Sequence, residues 1–221
     1  VIIVPQGADV QRESISGYGL SADDKVNTSV ARAMEDADLV LEMSQSMRES
    51  IESITSLDQS ALKRVPTGTA VQKITLQNVV PSDIRKRHNI GSSDIFILSV
   101  GRNHPKKGFD LIPSIILELE KLTDKNISWV VIGDGADRIE REAGLKLERS
   151  RIIPVAPIGL GAGELQSPPS GLIDYYKTAD VFCFPTRVEG FSLTFLDVLA
   201  SSTPIVSTLA PGVIDVITHE Q

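Results

Sequence analysis

Short apolar runs alternate with longer amphipathic stretches in the part of the chain that follows residue 95. Continuous apolar runs of this length are typical of strands covered on both faces, and apolar positions three or four residues apart indicate helices. The pattern predicts strands at residues 95–100, 129–132, 152–155, 180–184 and 205–207, with helices at 109–122, 137–147, 172–178 and 191–200. Because crossovers between parallel strands are right-handed, this order predicts an α/β fold with a doubly wound parallel sheet.

The first 80 residues follow a less regular pattern. It predicts strands at residues 1–4, 38–42 and 73–77, helices at 25–35 and 45–54, and an irregular stretch at 55–69. We divide the chain near Pro81, because proline disfavours helix at the residue before it. Residues 1–80 then form the end of one Rossmann-like domain with its linker, and residues 81–221 form a second one. The chain begins inside a strand pattern and stops without a capping signal, so we expect a piece of a longer protein.

Composition limits the classes of partner. The 221 residues carry a net charge of −7, which argues against nucleic acid, since phosphates need clustered Lys and Arg. The basic run at residues 85–88 is interpreted as a solvated helix start, with a membrane or polyanion contact as the alternative. No apolar stretch approaches the roughly 18 residues that span a bilayer. Cys183, the one cysteine, fits a buried thiol in a cytoplasmic protein, with peripheral contact at the inner face of a membrane left open.

Ligands of doubly wound sheets lie at the carboxyl ends of the strands, so the residues after each predicted strand are candidates. The segment from Gly101 to Gly108 follows the first of these strands and contains Arg102 and Lys107, just before a helix N-terminus. That combination favours a bound anion such as a diphosphate. A basic turn with solvated charges is the alternative, and neither the Walker pattern nor the dinucleotide fingerprint is present.

Two carboxylates follow the fourth of these strands. Glu189 stands before a helix start, where an acid is favoured for capping, and Gly190 with the following amides could hold a phosphate. Asp197 lies further along, in an apolar helix, where an unpaired carboxylate is costly. Sugar hydroxyls would satisfy Asp197 by donating hydrogen bonds, and an ion pair on a polar edge of the helix is the alternative.

Five segments stand in a fixed order along the chain. They are Ser-Val-Gly-Arg with Lys-Gly-Phe-Asp-Leu-Ile at 99–112, Val-Ile-Gly-Asp-Gly at 131–135, Tyr-Tyr with Ala-Asp-Val-Phe at 175–182, Glu-Gly-Phe-Ser-Leu with Asp at 189–197, and Ser-Thr-Pro-Ile-Val-Ser-Thr at 202–208. In this order they resemble the retaining, metal-independent glycosyltransferases of the GT-B fold, in the glycosyl transferases group 1, family four. The resemblance covers residues 95–217 and implies a nucleotide-sugar donor domain, preceded by a partial acceptor domain.

The resemblance assigns roles to individual residues. It implies that Glu189 contacts the donor sugar and that Arg102 and Lys107 bind the donor diphosphate, which makes these three the catalytic group. It also implies that Asp197 holds the nucleotide ribose, although the family usually has Glu at this position. The other implied donor-binding positions are Gly101, Gly133, Ile158 beside the base, Gly190, Phe191, Ser192 and Leu193.

The start of the chain resembles the end of an acceptor domain. Residues 37–47 match its last strand and the following helix, and residues 74–81 match the strand between the domains, with Val79 in place of the usual Gly. Gln6 occupies the position where many relatives carry a His near the transferred sugar. A Gln side chain can hydrogen-bond a sugar hydroxyl but cannot titrate, so Gln6 is a candidate sugar contact.

The implied reaction transfers a hexose from a UDP-, GDP- or ADP-sugar to an unidentified saccharide or lipid acceptor, with retention of anomeric configuration, as in polysaccharide biosynthesis. The nucleotide-sugar is the substrate, and neither cofactor nor metal is expected, since His88, His104 and His219 lack metal-ligand spacing. GT-B enzymes react between two domains, so we expect this chain to bind the donor but to transfer little sugar. The alternatives are a nucleotide-sugar-binding module without turnover and a sugar-nucleotide epimerase, which lacks the Glu-Gly-Phe-Ser-Leu pattern.

Overall fold

The computed structural model describes residues 1–20 and 23–218, which form two compact units. The first unit comprises residues 1–68, 186–193 and the segment from 208 onward. The second unit comprises residues 69–185 and 194–207. The assignment of residues 1–80 to an acceptor domain and of 81–221 to a donor domain stays a prediction.

The first unit contains a small parallel sheet with two helices. Its elements are β1 (Ile2–Ile3), α1 (Asp24–Glu35), β2 (Leu39–Glu42), α2 (Gln45–Ile54), a 3-10 turn (Gln59–Ala61) and β3 (Leu62–Arg64). The strand order is β1-β2-β3, with all strands parallel. Asp23 and Ser44 cap the two helices by accepting hydrogen bonds from backbone N–H groups of the first turn. Met34 of α1 and Met47 of α2 are buried in a core that also contains Val40 of β2.

The second unit contains a five-stranded parallel sheet flanked by helices. Its elements are α3 (Val71–Leu76), α4 (Pro81–Arg87), β4 (Ile95–Val100), 3-10 turns (Pro105–Lys107 and Phe109–Leu111), α5 (Ile112–Leu122), β5 (Ile127–Ile132), a 3-10 turn (Ala136–Arg138), α6 (Ile139–Ala143), β6 (Arg151–Val155), α7 (Ser170–Thr178), β7 (Val181–Phe184), α8 (Leu193–Ala200) and β8 (Ile205–Ser207). The strand order β6-β5-β4-β7-β8 confirms the predicted doubly wound sheet. Because the chain builds outward from β4 in both directions, the carboxyl ends of β4 and β7 meet where such sheets bind ligands.

The larger sheet is buried through its centre. All six residues of β5 are buried, as expected of a parallel strand covered on both faces. The buried Ser99 hydroxyl donates to the carbonyl of Cys183 at 2.5 Å and accepts from Trp129 Nε1 at 2.9 Å, so this polar group is satisfied. Burial raises the pKa of the Cys183 thiol to about 12, so it stays protonated at neutral pH.

The strand predicted at residues 73–77 is wrong, because this segment lies largely within α3. The sequence Lys-Ile-Thr-Leu-Gln alternates polar and apolar side chains, but Ile74 is fully buried whereas Leu76 is 78% exposed. The apolar positions therefore do not share one buried face, as they would in a strand. The match of residues 74–81 to an interdomain strand fails for the same reason.

The sequence pattern did not predict β3, which lies in the stretch 55–69 that we expected to be irregular. Leu62 is its one buried residue, and a three-residue strand with one apolar position carries no periodic signal. Its last residue, Arg64, donates through Nε to Glu42 at 3.0 Å. Glu42 is fully buried in β2 and also accepts from Arg48 Nε at 3.1 Å, so a distant charge helps to hold β3 in the sheet.

Three predicted helices are shorter than the pattern indicated. The helix expected at residues 109–122 starts as a 3-10 turn, and α5 begins only at Ile112. The helix expected at 137–147 ends early because Gly144, with a φ of 62°, terminates α6. The last helix, α8, begins at Leu193, so the two residues before it belong to a turn.

The basic run at residues 85–88 closes α4, whereas the sequence indicated a helix start. Arg85 donates to Asp180 at 2.7 Å and lies 5.9 Å from the ring centroid of Phe96, so one of these cations packs within the second unit. Within the described ranges, no helix is both long enough and apolar enough to cross a membrane. A peripheral membrane contact stays a prediction.

Gly108 allows the connection after β4 to cross the end of β7. Its φ is 67°, and a Cβ atom placed on it would lie 1.9 Å from the carbonyl oxygen of Pro185. Any side chain would force the two backbones apart. The connection therefore keeps its position because residue 108 is glycine.

We expect Gly108→Ala to lower the free energy of unfolding by about 3 kcal/mol or more, because the variant combines a left-handed φ with a backbone clash. Gly144→Ala is the matched control, since its φ is 62° and no atom lies within 4 Å of the added Cβ. The control should cost about 1 kcal/mol. Urea denaturation measures both values, and equal costs would contradict the importance of the Pro185 contact.

Candidate functional site

Glycines bring the carboxyl ends of β4 and β5 together. A Cβ atom on Gly133, which follows β5, would lie 1.9 Å from the carbonyl oxygen of Gly101, which follows β4. The next residues continue the contact, because Asn103 donates its backbone N–H to Asp134 O at 2.7 Å and its side-chain N–H to Gly135 O at 3.1 Å. The structure thus brings Gly101 and Gly133 together, as the doubly wound sheet predicts. Their contact with a donor stays a prediction.

Both predicted catalytic cations lie on the connection after β4. Arg102 is exposed, and no described residue forms a hydrogen bond or ion pair with its guanidinium. Lys107 lies in the 3-10 turn that precedes Gly108, with Nζ at 4.8 Å from the ring centroid of Phe184. The helix that we expected to begin near residue 109 starts three residues later, so a 3-10 turn separates these cations from α5.

The pKa of His104 reports the positive charge of the same segment. Burial lowers this pKa, and the charges of Lys106, Arg102 and Lys107 lower it further. His104 Nδ1 accepts from the backbone N–H of Lys106 at 3.2 Å, which favours the neutral ring. The segment therefore carries its positive charge on the three longer side chains.

A pocket of about 300 Å³ lies at the carboxyl ends of β5 and β6. It is lined by Gly133, Asp134, Gly135, Ala136, Asp137, Pro154, Val155, Ala156 and Pro157. Ile158 follows directly and is partly buried, and its Cγ2 would lie 3.3 Å from a Cβ atom on Gly171 in α7. The predicted base-binding position is thus next to a pocket that shares Gly133 with the β4–β5 contact.

Glu189 lies in the first unit, where its backbone and its side chain are both fixed. It is 5% exposed, and Oε1 accepts from Thr186 Oγ1 at 2.9 Å. The backbone N–H donates to Pro211 O at 2.9 Å, and the carbonyl accepts from Gln11 Nε2 at 2.7 Å. A Cβ atom on Gly212 would lie 1.9 Å from the same carbonyl oxygen, so residues far apart in sequence confine this peptide.

Gly190 is held in the same unit by contacts with the first part of the chain. Its carbonyl accepts from Ser44 Oγ at 2.9 Å, and a Cβ atom on it would lie 3.3 Å from the Cα of Gly7. Gln6, the residue before Gly7, is exposed and donates through Nε2 to Val4 O at 3.2 Å. A sugar contact of Gln6 stays a prediction.

Phe191, Ser192 and Leu193 link Gly190 to α8. Ser192 is buried, Phe191 is partly buried, and Leu193 is 46% exposed at the first position of α8. The helix predicted from residue 191 therefore starts two residues late. Its first N–H groups lack partners within the helix, as at every helix N-terminus.

Asp197 lies in the second unit, on α8, where Phe195 and Val198 are fully buried. It is 8% exposed, and its Oδ1 accepts from the hydroxyl of Thr69. Burial raises the pKa of Asp197, and the Thr69 hydrogen bond offsets part of the rise. No described cation pairs with this carboxylate, so the ion-pair alternative is wrong for the described residues.

No local pattern predicted the residues that bond to the backbone carbonyls of Glu189 and Gly190 and to the carboxylate of Asp197. Gln11 and Glu189 are 178 residues apart, Ser44 and Gly190 are 146 apart, and Thr69 and Asp197 are 128 apart. The one local signal is Ser44, whose position before α2 marks a helix cap. No group of His, Cys, Asp or Glu within the described ranges could hold a metal ion, and His219 lies outside them, so metal independence stays a prediction.

Gln11→Glu should destabilise the first unit at neutral pH. The side chain of Gln11 is 2% exposed, and its Nε2 is the donor to Glu189 O, so the variant sets a buried carboxylate against a carbonyl oxygen. We expect a loss of about 2–4 kcal/mol in unfolding free energy, which shrinks as falling pH protonates the new carboxyl and restores a donor. Chemical denaturation at several pH values measures it. Gln72→Glu, on an exposed position of α3, should show neither effect.

Asp197→Asn should stabilise the nucleotide-free chain at neutral pH. Because the pKa of Asp197 is raised on folding, the folded state binds protons more tightly, and stability falls as pH rises above the usual carboxyl range. The variant removes that loss, so its melting temperature should exceed that of the parent at pH 7 and approach it below about pH 4. Asp124→Asn, at an exposed position, is the control. A pH-independent difference would contradict the argument.

Comparison with curated proteins identifies relatives along most of the chain. It is 26% identical over 183 residues to an uncharacterized glycosyltransferase of Methanocaldococcus jannaschii, covering 82% of this chain and 45% of that protein. It is 30% identical over 139 residues to the mannosylfructose-phosphate synthase of Agrobacterium fabrum, covering 60% of this chain and 29% of that enzyme. The chain thus spans less than half the length of these relatives.

Solved structures share the fold. The structure of Anabaena HepE in complex with UDP-glucose superposes with a TM-score of 0.73 at 13% identity, covering 99% of this chain and 56% of that one. The glycosyltransferase WaaG, described as involved in lipopolysaccharide biosynthesis, has a TM-score of 0.69 at 15% identity, covering 96% of this chain and 57% of that one. These likenesses support a Rossmann-like fold of the GT-B type.

The family described as "Glycosyl transferases group 1" matches residues 94–221. This match includes β4, β5 and the glycines after them, together with Glu189 and Asp197. Since it covers more than half of the sequence, the chain belongs to the glycosyl transferases group 1 family.

Proposed function

We propose that this chain is the donor-binding part of a retaining glycosyltransferase that transfers a hexose from a nucleoside-diphosphate sugar to a saccharide or lipid acceptor. The observation that carries the proposal is the β4–β5 contact, where Gly101 and Gly133 admit close backbone approach beside Arg102 and Lys107. The complex of HepE with UDP-glucose, a structure of the same fold, supports a nucleotide-sugar as the ligand.

The diphosphate is assigned to the connection after β4. Arg102 offers an exposed guanidinium, whose geometry suits bidentate contact with phosphate oxygens. Lys107 adds a second cation on a turn whose position is set by Gly108. Fixed cations stabilise the negative charge that develops on a leaving diphosphate, and they need no reorganisation when the bond breaks.

Glu189 is assigned a positioning role toward the donor sugar. Its carboxylate accepts from Thr186 Oγ1 at 2.9 Å, and carboxylate oxygens are acceptors suited to sugar hydroxyls. The turn that carries it is fixed by Gln11, Ser44 and Pro211. A fixed carboxylate orients the sugar and thereby contributes to the rate through geometry.

The proposed reaction needs no side-chain base. The acceptor hydroxyl oxygen bonds to the anomeric carbon while the bond from that carbon to the diphosphate oxygen breaks. The proton of the hydroxyl passes to the leaving phosphate oxygen on the same face, which gives retention of configuration. Arg102 and Lys107 supply the positive charge for this step, so the proposal includes neither a metal nor a cofactor.

A binding module without turnover is the second candidate for the 221-residue chain itself. It is favoured by length, since the chain spans 45% of the Methanocaldococcus relative and 56% of HepE. We therefore assign donor binding to this chain and sugar transfer to a protein of full family length. A cytoplasmic location and an acceptor at the inner face of a membrane stay predictions.

Calorimetric titration with UDP, GDP, ADP and their hexose conjugates tests the proposal. One nucleotide series should bind, and Arg102→Ala should weaken it by about tenfold to a hundredfold, the effect of losing one charge-assisted contact of roughly 1.5–3 kcal/mol. Arg141→Ala, at an exposed position on α6, is the matched control and should leave affinity unchanged.

Two results would contradict the proposal in different ways. If no nucleotide binds, donor binding by this chain is wrong. If Arg102→Ala binds as tightly as the parent, the diphosphate lies elsewhere, and the assignment of the connection after β4 is wrong.

A further inference from the structure

One face of the second unit combines exposed aliphatic side chains with exposed cations. We call it the α3–α4 face, and it comprises Val71 and Leu76 of α3, Val80 before α4, Lys86 and Arg87 of α4, and Leu165 in the connection before α7. Leu76 is 78% exposed, Val80 is 60% exposed and Leu165 is 93% exposed. Single exposed apolar side chains need no explanation, whereas a group of them beside cations marks a contact surface.

Hydrogen bonds hold the connection before α7 against α3. Lys73 of α3 donates through Nζ to the carbonyls of Gln166 and Pro168 at 2.6 and 2.7 Å. The same Nζ pairs with Glu164 at 3.2 Å. Leu165 stands between two residues that are bonded to Lys73, so its exposed side chain lies beside α3.

Both α3 and α4 pack against α7. Lys177 of α7 donates to the carbonyls of Thr75 and Gln77 at 3.1 and 2.7 Å, at the end of α3. His88, at the end of α4, has its Nε2 at 2.7 Å from the hydroxyl of Tyr175 in α7. Since the two helices contact the same third helix, their outer sides belong to one surface of the second unit.

The spacing within each helix places a member of the face on the outer side. Ile74 of α3 is fully buried, and Ile84 of α4 is 2% exposed. Leu76 and Lys86 each come two positions later, about 200° further round the helix. The side of each helix that is opposite its buried isoleucine therefore carries an aliphatic side chain on α3 and a cation on α4.

The charge of this segment differs from that of the whole chain. Residues 69–90 contain four basic side chains and one acid, although the 221 residues have a net charge of −7. Two of these cations, Lys73 and Arg85, pair with acids of the same unit. Among the residues that the structure describes, no acid lies within ion-pair distance of Lys86 or Arg87. The outer side of α4 therefore carries positive charge that is not compensated locally.

Arg151 adds to the positive charge at the end of α4. It is exposed, and it donates to the carbonyl of His88 at 3.0 Å and to that of Asn89, which are neutral partners. The pKa of His88 is lowered by burial and then by the charges of Arg87 and Arg151. A cation at this position is therefore unfavourable for His88, as expected where positive charge predominates.

Cations beside protruding aliphatic side chains fit the surface of an anionic lipid bilayer. Lipid phosphates attract Lys and Arg, and the acyl boundary accepts aliphatic side chains. Nucleic acid offers phosphates but no apolar layer for Leu76 and Leu165. We propose that the α3–α4 face docks this protein on an anionic lipid bilayer, with Lys86 and Arg87 on the headgroup phosphates and Leu76 and Leu165 in the acyl boundary. None of these residues belongs to the proposed donor site.

Vesicle flotation of the 221-residue chain tests the inference. The chain should float with vesicles of phosphatidylcholine mixed with phosphatidylglycerol and not with vesicles of phosphatidylcholine alone, and added salt should release it. The double variant Lys86→Gln with Arg87→Gln should lower the partition coefficient roughly thirtyfold, since each cation contributes about fivefold. Arg141→Gln with Lys146→Gln removes two exposed cations outside the face and should leave partitioning nearly unchanged.

The aliphatic side chains are tested in the same way. Leu76→Ser and Leu165→Ser should each weaken partitioning about tenfold, because each removes one aliphatic group that enters the bilayer. Leu122→Ser is the matched control, since Leu122 of α5 is 81% exposed but lies outside the face. The leucine variants distinguish a bilayer from a polyanion that contacts the cations alone.

Three results would overturn the inference. The first is a chain that stays unbound with the mixed vesicles. The second is a loss of partitioning in the control variants as large as in the variants of the face. The third is binding to heparin as strong as to vesicles with no effect of Leu76→Ser or Leu165→Ser, which would identify a general polyanion surface. The proposed function is judged separately, because all of these variants should bind the nucleotide as the parent chain does.

Discussion

The connection after β4 lies so close to two other backbones that no side chain fits between them. A Cβ atom at position 108 would lie 1.9 Å from Pro185 O, and a Cβ atom at Gly133 would lie 1.9 Å from Gly101 O. This contact fixes the segment that carries Arg102 and Lys107 against the ends of two strands. The proposed phosphate site therefore depends on the glycines that allow these backbones to approach closely. Their contacts determine where Arg102 and Lys107 lie.

Three carboxylates are buried among the residues that the structure describes, and their hydrogen-bond partners differ. Glu42 is fully buried and accepts from two guanidinium groups, an arrangement that compensates a buried charge and holds β3 in its sheet. Glu189 accepts from Thr186 at 2.9 Å, while its backbone is bonded on both sides. Asp197 has a hydroxyl donor alone, and its pKa is raised. The carboxylate that is paired with two guanidinium groups serves the fold, and Glu189 and Asp197 are the two assigned to a ligand.

Single distant side chains hold the turns that carry these groups. Gln11 holds the peptide of Glu189, Ser44 holds that of Gly190, and Lys73 ties α3 to the segment before α7. Each hydrogen bond restricts the conformations of one turn. A site that accelerates a reaction by positioning its substrate, without covalent catalysis, needs such fixed turns. Gln11 and Ser44 are buried and Lys73 is partly buried, whereas Arg102 is exposed.

The sequence by itself determined the larger sheet and the strand ends that matter. The apolar run at residues 95–100 became a strand with the predicted bounds, because a parallel strand buried on both faces leaves a local signature. The strand at residues 205–207 also has the predicted bounds, although it lies at the edge of the sheet and none of its residues is buried. The same local reasoning failed at α3 and β3. The polar–apolar alternation of residues 73–77 occurs in a helix and does not mark a strand. The strand that contains Leu62 forms because Leu62 pairs with Val40, which lies 22 residues earlier.

Only the tertiary structure decided which residues support the candidate site. Nothing near Thr69 in the sequence indicates a carboxylate 128 residues away, and nothing near Gln11 indicates the carbonyl of Glu189. Hydrogen bonds between distant segments leave no periodic or compositional trace, because their partners are fixed by how the chain packs. Local patterns identified the acids and cations of this chain, and packing alone determined what each of them is bonded to.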